Sequence, residues 1–235
     1  MPTPEFNLKQ PDRRNFLASL ASGAAALGLA TIAPVLQLQA NEIHSLPLHP
    51  EDPDTWFNQI KGKHKAVFDV PHPHEVFPFA WPKVFLLSNE STGTRANDCS
   101  VVVVLRHNAI PYAFEDKLWA KYAFGKFFKA DDPLTKTPSV RNPFWKPKAG
   151  DFTIPGIGNV EIGINELQDN GVMFCVCGTA ITVQSTVMAE KMKMKADDLK
   201  NEWMSGLLPG IQVVPSGIWA LGRAQEHGCT YIFAG

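Results

Sequence analysis

Val101-Val102-Val103-Val104-Leu105 is an unbroken apolar run set between Ser100 and Arg106. A strand without polar alternation has both sides buried, the habit of a parallel sheet covered by helices on each face. Such a strand needs neighbours and two flanking layers. Four further segments fit as its partners, at residues 65–70, 171–177, 211–214 and 230–234. Apolar positions recur at helical spacing over 81–88, 112–124, 163–170, 179–192, 195–204 and 216–227. Thr179 and Ser216 stand directly behind strands, where a helix N-cap is wanted. Strand, tight turn and capped helix in alternation predict an α/β chain: a three-layer αβα domain with a mainly parallel sheet of about five strands.

Two stretches depart from that alternation. Residues 126–160 carry Pro133, Pro138, Pro143, Pro147 and Pro155, which forbid regular helix through most of the segment. Phe144, Trp145 and Phe152 predict that this insertion packs down on its own domain, with a lid, an edge cover or an assembly contact as the alternatives. Residues 41–62 contain Pro47, Pro50 and Pro53 before Trp56 and Ile60, and read as a linker with a short helix. The folded domain is therefore expected over 63–235.

Asp12-Arg13-Arg14-Asn15-Phe16-Leu17 precedes a mildly apolar, Ala- and Gly-rich stretch ending near Ala40. Paired arginines before such a stretch resemble the twin-arginine signal of bacteria, a receptor-read address for proteins exported already folded. The resemblance implies residues 1–40 as a signal peptide, the twin-arginine translocase as a partner and a periplasmic destination. Leu38 is larger than the small residue normally wanted before a cleavage point, so cleavage after Ala40 is an approximate expectation.

The whole chain holds 22 basic and 23 acidic residues. Removing 1–40 takes away Lys9, Arg13 and Arg14 against Glu5 and Asp12, and leaves the balance acidic. That balance offers nucleic acid no electrostatic attraction. Cys99, Cys175, Cys177 and Cys229 all follow residue 40. An even count in an oxidising compartment permits disulfides. A Cys99–Cys229 bridge requires the second and last strands to be adjacent, whereas Cys175 and Cys177 lie ~6.6 Å apart along an extended strand, near the upper limit for a bridge.

In an open parallel sheet the ligand crevice lies beyond the carboxyl ends of the strands. The residues there are chemically loaded: Pro71-His72-Pro73-His74-Glu75 after the first strand, His107-Asn108 after the second, Cys177-Gly178-Thr179 at the third, and Pro215-Ser216-Gly217 after the fourth. Cys177 is the expected nucleophile, because a sulfur at a strand tip before a helix meets unpaired amides and the positive end of the dipole, which stabilise a thiolate. Gly178 supplies backbone freedom, and Thr179 and Ser216 supply substrate contacts. His107, at the neighbouring tip, could form an imidazolium partner for the thiolate. Cys175 shares the face of Cys177 but lies deeper, where an unpaired cysteine serves as a small core residue. This thiol chemistry requires no cofactor. The alternative is a zinc or copper site, or a small-ligand site without turnover, drawn from His72, His74, His107 and Cys177.

The segment Gly171-Val172-Met173-Phe174-Cys175-Val176-Cys177-Gly178-Thr179-Ala180 resembles the signature of the DsrE/DsrF-like family of intracellular sulfur oxidation proteins. The strand 101–107 comes before it in the same order, Val214-Pro215-Ser216-Gly217 follows, and Glu226-His227-Gly228-Cys229-Thr230-Tyr231 closes the domain. The resemblance spans 63–235 apart from the insertion. It implies a three-layer α/β domain, homo-oligomeric assembly, and a cysteine at the position of Cys177 that carries sulfur as a persulfide between a donor and an acceptor protein. Export and the proline-rich insertion set this chain apart from the compact, cytoplasmic members.

Overall fold

The computed structural model describes residues 53–95, 98–154 and 156–235. The segment expected to be a signal, its expected cleavage point and the first part of the expected linker lie outside the described residues. A five-stranded, all-parallel sheet forms the centre, made of β1 (His64–Val70), β2 (Cys99–Leu105), β5 (Val172–Cys177), β6 (Ile211–Val214) and β7 (Thr230–Phe233). Their spatial order is β6-β5-β2-β1-β7, with β2 in the middle. All five expected strands are present, and helices cover both faces in an α/β three-layer arrangement. Val101 to Leu105 are each at most 1% exposed, which explains why that run carries no polar residue.

Side chains alternate between two cores, as the pleat demands. Phe68, Val103, Leu105, Phe174 and Val213 face the larger one, under α2 (Phe77–Ser91), α6 (Gly178–Met192) and α7 (Ala196–Ser205). Val67, Val102, Val104, Cys175 and Val214 face the smaller one, under α1 (Pro53–Trp56) and α8 (Gly217–Glu226). Trp56, Phe57 and Ile60 are buried in that smaller core. The segment expected to be a linker up to residue 62 thus contributes core from 53 onward, because its three large apolar side chains close the face that α8 alone leaves uncovered.

The single helix expected over 112–124 is replaced by a 3-10 turn, His107–Ala113, then α3 (Asp116–Tyr122) and α4 (Phe124–Phe127). Pro111 sits inside the turn, and Ala123 adopts a left-handed conformation at φ 49° that ends α3. Phe114 between them makes a bridge with Leu207, so tertiary pairing overrides local helical spacing. Helix α2 starts four residues earlier than the spacing implies, with Pro78 in its first turn, where proline is tolerated, and Pro82 within it.

The insertion is irregular apart from a two-residue hairpin, β3 (Thr153–Ile154) with β4 (Gly158–Asn159), which sequence patterning did not indicate. Phe144 and Phe152 enter the larger core. Asn142 is fully buried and ties the segment down: its side-chain amide donates to the carbonyls of Tyr112 at 2.8 Å and Phe114 at 3.1 Å. Its own amide donates to Asp116 Oδ1 at 2.8 Å. Satisfied on all sides, this side chain replaces the hydrogen bonds a regular element would supply. The short helix α5 (Ile164–Asp169) then leads into β5.

All four cysteines are free. β1 lies between β2 and β7 in the sheet, so the adjacency that a Cys99–Cys229 bridge required is not met. No helix among the described residues is long and apolar enough to cross a membrane.

Candidate functional site

The ends of β2, β5 and β6 open into a cleft of about 280 Å³. Arg106 and His107 line it from beyond β2, Cys177 from the tip of β5, Ala180, Val183 and Gln184 from the first turns of α6, and Ser216, Gly217 and Ile218 from the start of α8. Two helix N-termini therefore border the cleft that this thiol lines.

Cys177 itself caps α6: the amide of Ala180 donates to its Sγ at 3.3 Å. The expected cap, Thr179, has another task. Its amide and its hydroxyl both donate to the carbonyl of Pro215, at 3.1 and 2.8 Å, clamping the start of α6 to the loop after β6. Ser216 caps α8 as expected, its Oγ accepting from the amide of Trp219 at 3.2 Å. Gly178 lies within the first turn of α6 and needs no special backbone freedom, since its φ is not positive. It is buried and outside the cleft lining, whereas Thr179 and Ser216 are part of that lining.

Cys177 is 7% exposed and Cys175 fully buried, the difference that separates a cleft thiol from a core thiol. Burial raises Cys175 far above an ordinary thiol, with the nearby Cys177 adding to the effect. Burial likewise pushes Cys229 up to about 11 and raises Cys99, where Asp98 contributes.

The histidines divide. His72 and His107 meet edge to face with ring centroids 5.2 Å apart, whereas His74 packs at 5.0 Å on Phe77 and lines a separate cavity with Lys129, Asp131 and Lys136. Among the described residues, no three His, Cys, Asp or Glu side chains gather in a group able to hold a metal ion. Of the zinc or copper set, His72 meets His107, which shares the cleft with Cys177, while His74 lines the separate cavity. His107 is held below its ordinary 6.5 by partial burial, then by His72 and by Arg106. These neighbours oppose the imidazolium that the sequence suggested.

The positive charge in the cleft belongs instead to Arg106. Its Nε donates to Asp69 Oδ1 at 2.6 Å and its Nη2 to Oδ2 at 2.8 Å. Tyr231 Oη donates to the same Oδ2 at 2.8 Å. Asp69 is a buried carboxylate within β1, on the face shared by Val67. A lone acid in the apolar strand Ala66-Val67-Phe68-Asp69-Val70 was the available signal, since a buried charge demands a partner. Gly217 completes the arrangement: a Cβ there would stand 2.7 Å from Arg106 Cβ and 2.9 Å from its Cδ. Only glycine lets the start of α8 approach that closely.

No family model matches this sequence, and no curated protein matches it. Among solved structures, the chain is similar to a protein of unknown function from Methanobacterium thermoautotrophicum, at 18% identity and a TM-score of 0.37, covering 72% of this chain and 98% of that one.

Proposed function

We propose that this chain is an exported, DsrE-like carrier of sulfane sulfur, with Cys177 holding the sulfur as a persulfide. The observation that supports this reading best is a thiol lining an open cleft, where its sulfur accepts an amide hydrogen from a helix start and an arginine lines the same cleft. Amide hydrogens and a guanidinium are groups that can receive a charged sulfur, and a persulfide carries one. Cys99, Cys175 and Cys229, each raised first by burial, do not line this cleft.

In the loading step, the Cys177 thiolate attacks the outer sulfur of a donor persulfide, R–S–SH. A bond forms from Sγ to that sulfur, the donor S–S bond breaks, and R–S⁻ departs. Sulfur changes hands without net oxidation or reduction. Attack by an acceptor thiolate on the outer sulfur reverses the sequence. His107 lines the same cleft as Cys177, and burial holds its imidazole below the ordinary value. Thr179 and Ser216 line the path of the incoming group. The same reading places the protein in the periplasm after passage through the twin-arginine translocase, as a homo-oligomer serving a donor and an acceptor protein.

Mass spectrometry of reduced protein incubated with a persulfide donor tests the reading. Gain of one sulfur on the peptide containing Cys177, absent in Cys177→Ser, is expected. Wild-type protein that gains no sulfur at Cys177 overturns it.

A further inference from the structure

We propose that Asp69 and Tyr231 are positioning residues that hold the Arg106 guanidinium as the fixed counter-charge of the Cys177 sulfur anion. The inference rests on the reading of Cys177 as the reacting thiol and explains a feature that the fold does not require. Asp69 occupies the middle layer of the domain, with a side chain only 2% exposed. Exchanging a buried ion pair for well-packed apolar residues is often neutral or stabilising, so stability does not account for a carboxylate at this place. Its location does. β1 and β2 are neighbours, and Arg106 follows the last residue of β2. Asp69 therefore sits behind Arg106, while Cys177 lines the cleft in front with it.

Asp69 grips one edge of the guanidinium, through Nε and Nη2, in the bidentate manner that fixes a plane as well as a distance. The Nη1 edge stays outside that fork. Tyr231, on the edge strand β7, steadies the carboxylate from its far side. Gly217 brings the first turn of α8 against the aliphatic stem, so the side chain is confined along its length. An exposed arginine would lose much of its effect to screening and to its own rotamers; a clamped and partly buried one keeps its charge at a set place. Among the described residues, the charged and titratable groups around Cys177 are few. Arg106 and His107 share the cleft, Cys175 lies beneath on β5, His72 lies behind His107, Asp69 and Tyr231 lie behind Arg106, and the cleft linings of α6 and α8 hold none.

The test follows the rate of Cys177 alkylation by iodoacetamide across a pH series, read by mass spectrometry on the full chain, with folding checked by circular dichroism. Asp69→Asn/Arg106→Gln removes both charges while leaving two amides able to bond each other, and should raise the pH midpoint of alkylation by about one unit. Arg106→Lys keeps a charge but not the fork, and should raise it by less. Tyr231→Phe should slow alkylation only slightly. A wild-type midpoint in either of the first two variants overturns the proposal, as does a Cys177 that no pH makes reactive; Arg106→Lys alone decides if the double variant does not fold. Sulfur uptake by the wild type, measured separately, keeps failure of the carrier reading distinct from failure of this one.

Discussion

The larger core of this domain is crowded with aromatic rings, from Phe79 stacked on Phe144 at 4.2 Å to Phe124 against Trp203 at 4.8 Å, whereas the smaller core beneath α8 holds Asp69 and the buried Cys175 beside its valines. One side of the sheet is packed mainly with aromatic rings; the other holds a buried carboxylate and leads to the cleft. Burial of large side chains contributes roughly 1.5–3 kcal/mol each, so the aromatic side carries most of the stability. The polar side can hold a carboxylate and a thiol because the first side has already secured the fold. Stability and chemistry are thus divided between opposite surfaces of the same strands, with side-chain alternation as the dividing rule.

Loss of Phe144 is the most severe way to challenge this division. Phe144→Ala should cost about 3–5 kcal/mol of unfolding free energy, measured by urea denaturation, while Cys177 in the folded fraction alkylates at its normal rate. A large change in thiol reactivity would break the separation. Gly217→Ala should do the reverse. Overpacking against Arg106 should cost about 1–3 kcal/mol, and the displaced guanidinium should slow Cys177 alkylation several-fold. Ser216→Ala removes the cap of α8 and should cost about 1 kcal/mol, read as a lower melting temperature.

The smallest expected effect is that of His107. Because its folded-state value lies below 6.5, the unfolded chain takes up this proton first as pH falls. Stability should therefore decline as pH drops through about 6.5, until the folded-state value is also passed. His107→Gln should flatten that limb slightly in urea midpoints taken at a series of pH values. A limb that steepens would reverse the sign argued here.

Sheet and cap were legible in the chain because their signals are local. Five apolar segments of strand length and a serine directly behind the fourth, Ser216, required no knowledge of distant contacts. Tertiary contacts decided the rest. The spacing over 112–124 is helical, yet Phe114 pairs with Leu207 and Asn142 holds the carbonyls of Tyr112 and Phe114, so the helix divides. At the site, Cys177 was evident from its position between strand and helix. Its charged neighbour was not, since Asp69 and Arg106 are 37 residues apart and meet only because β1 and β2 pair in register. Thr179 looked like a cap by residue type, but the sulfur one step before the helix accepts the amide that a hydroxyl would have taken.

That substitution of sulfur for hydroxyl links covalent state to backbone order. The amide of Ala180 is tethered to Cys177 Sγ, so a covalent change at that atom would be felt by the opening turn of a fifteen-residue helix. Hydrogen exchange or the nitrogen resonance of this one amide would therefore report the state of the sulfur from the backbone.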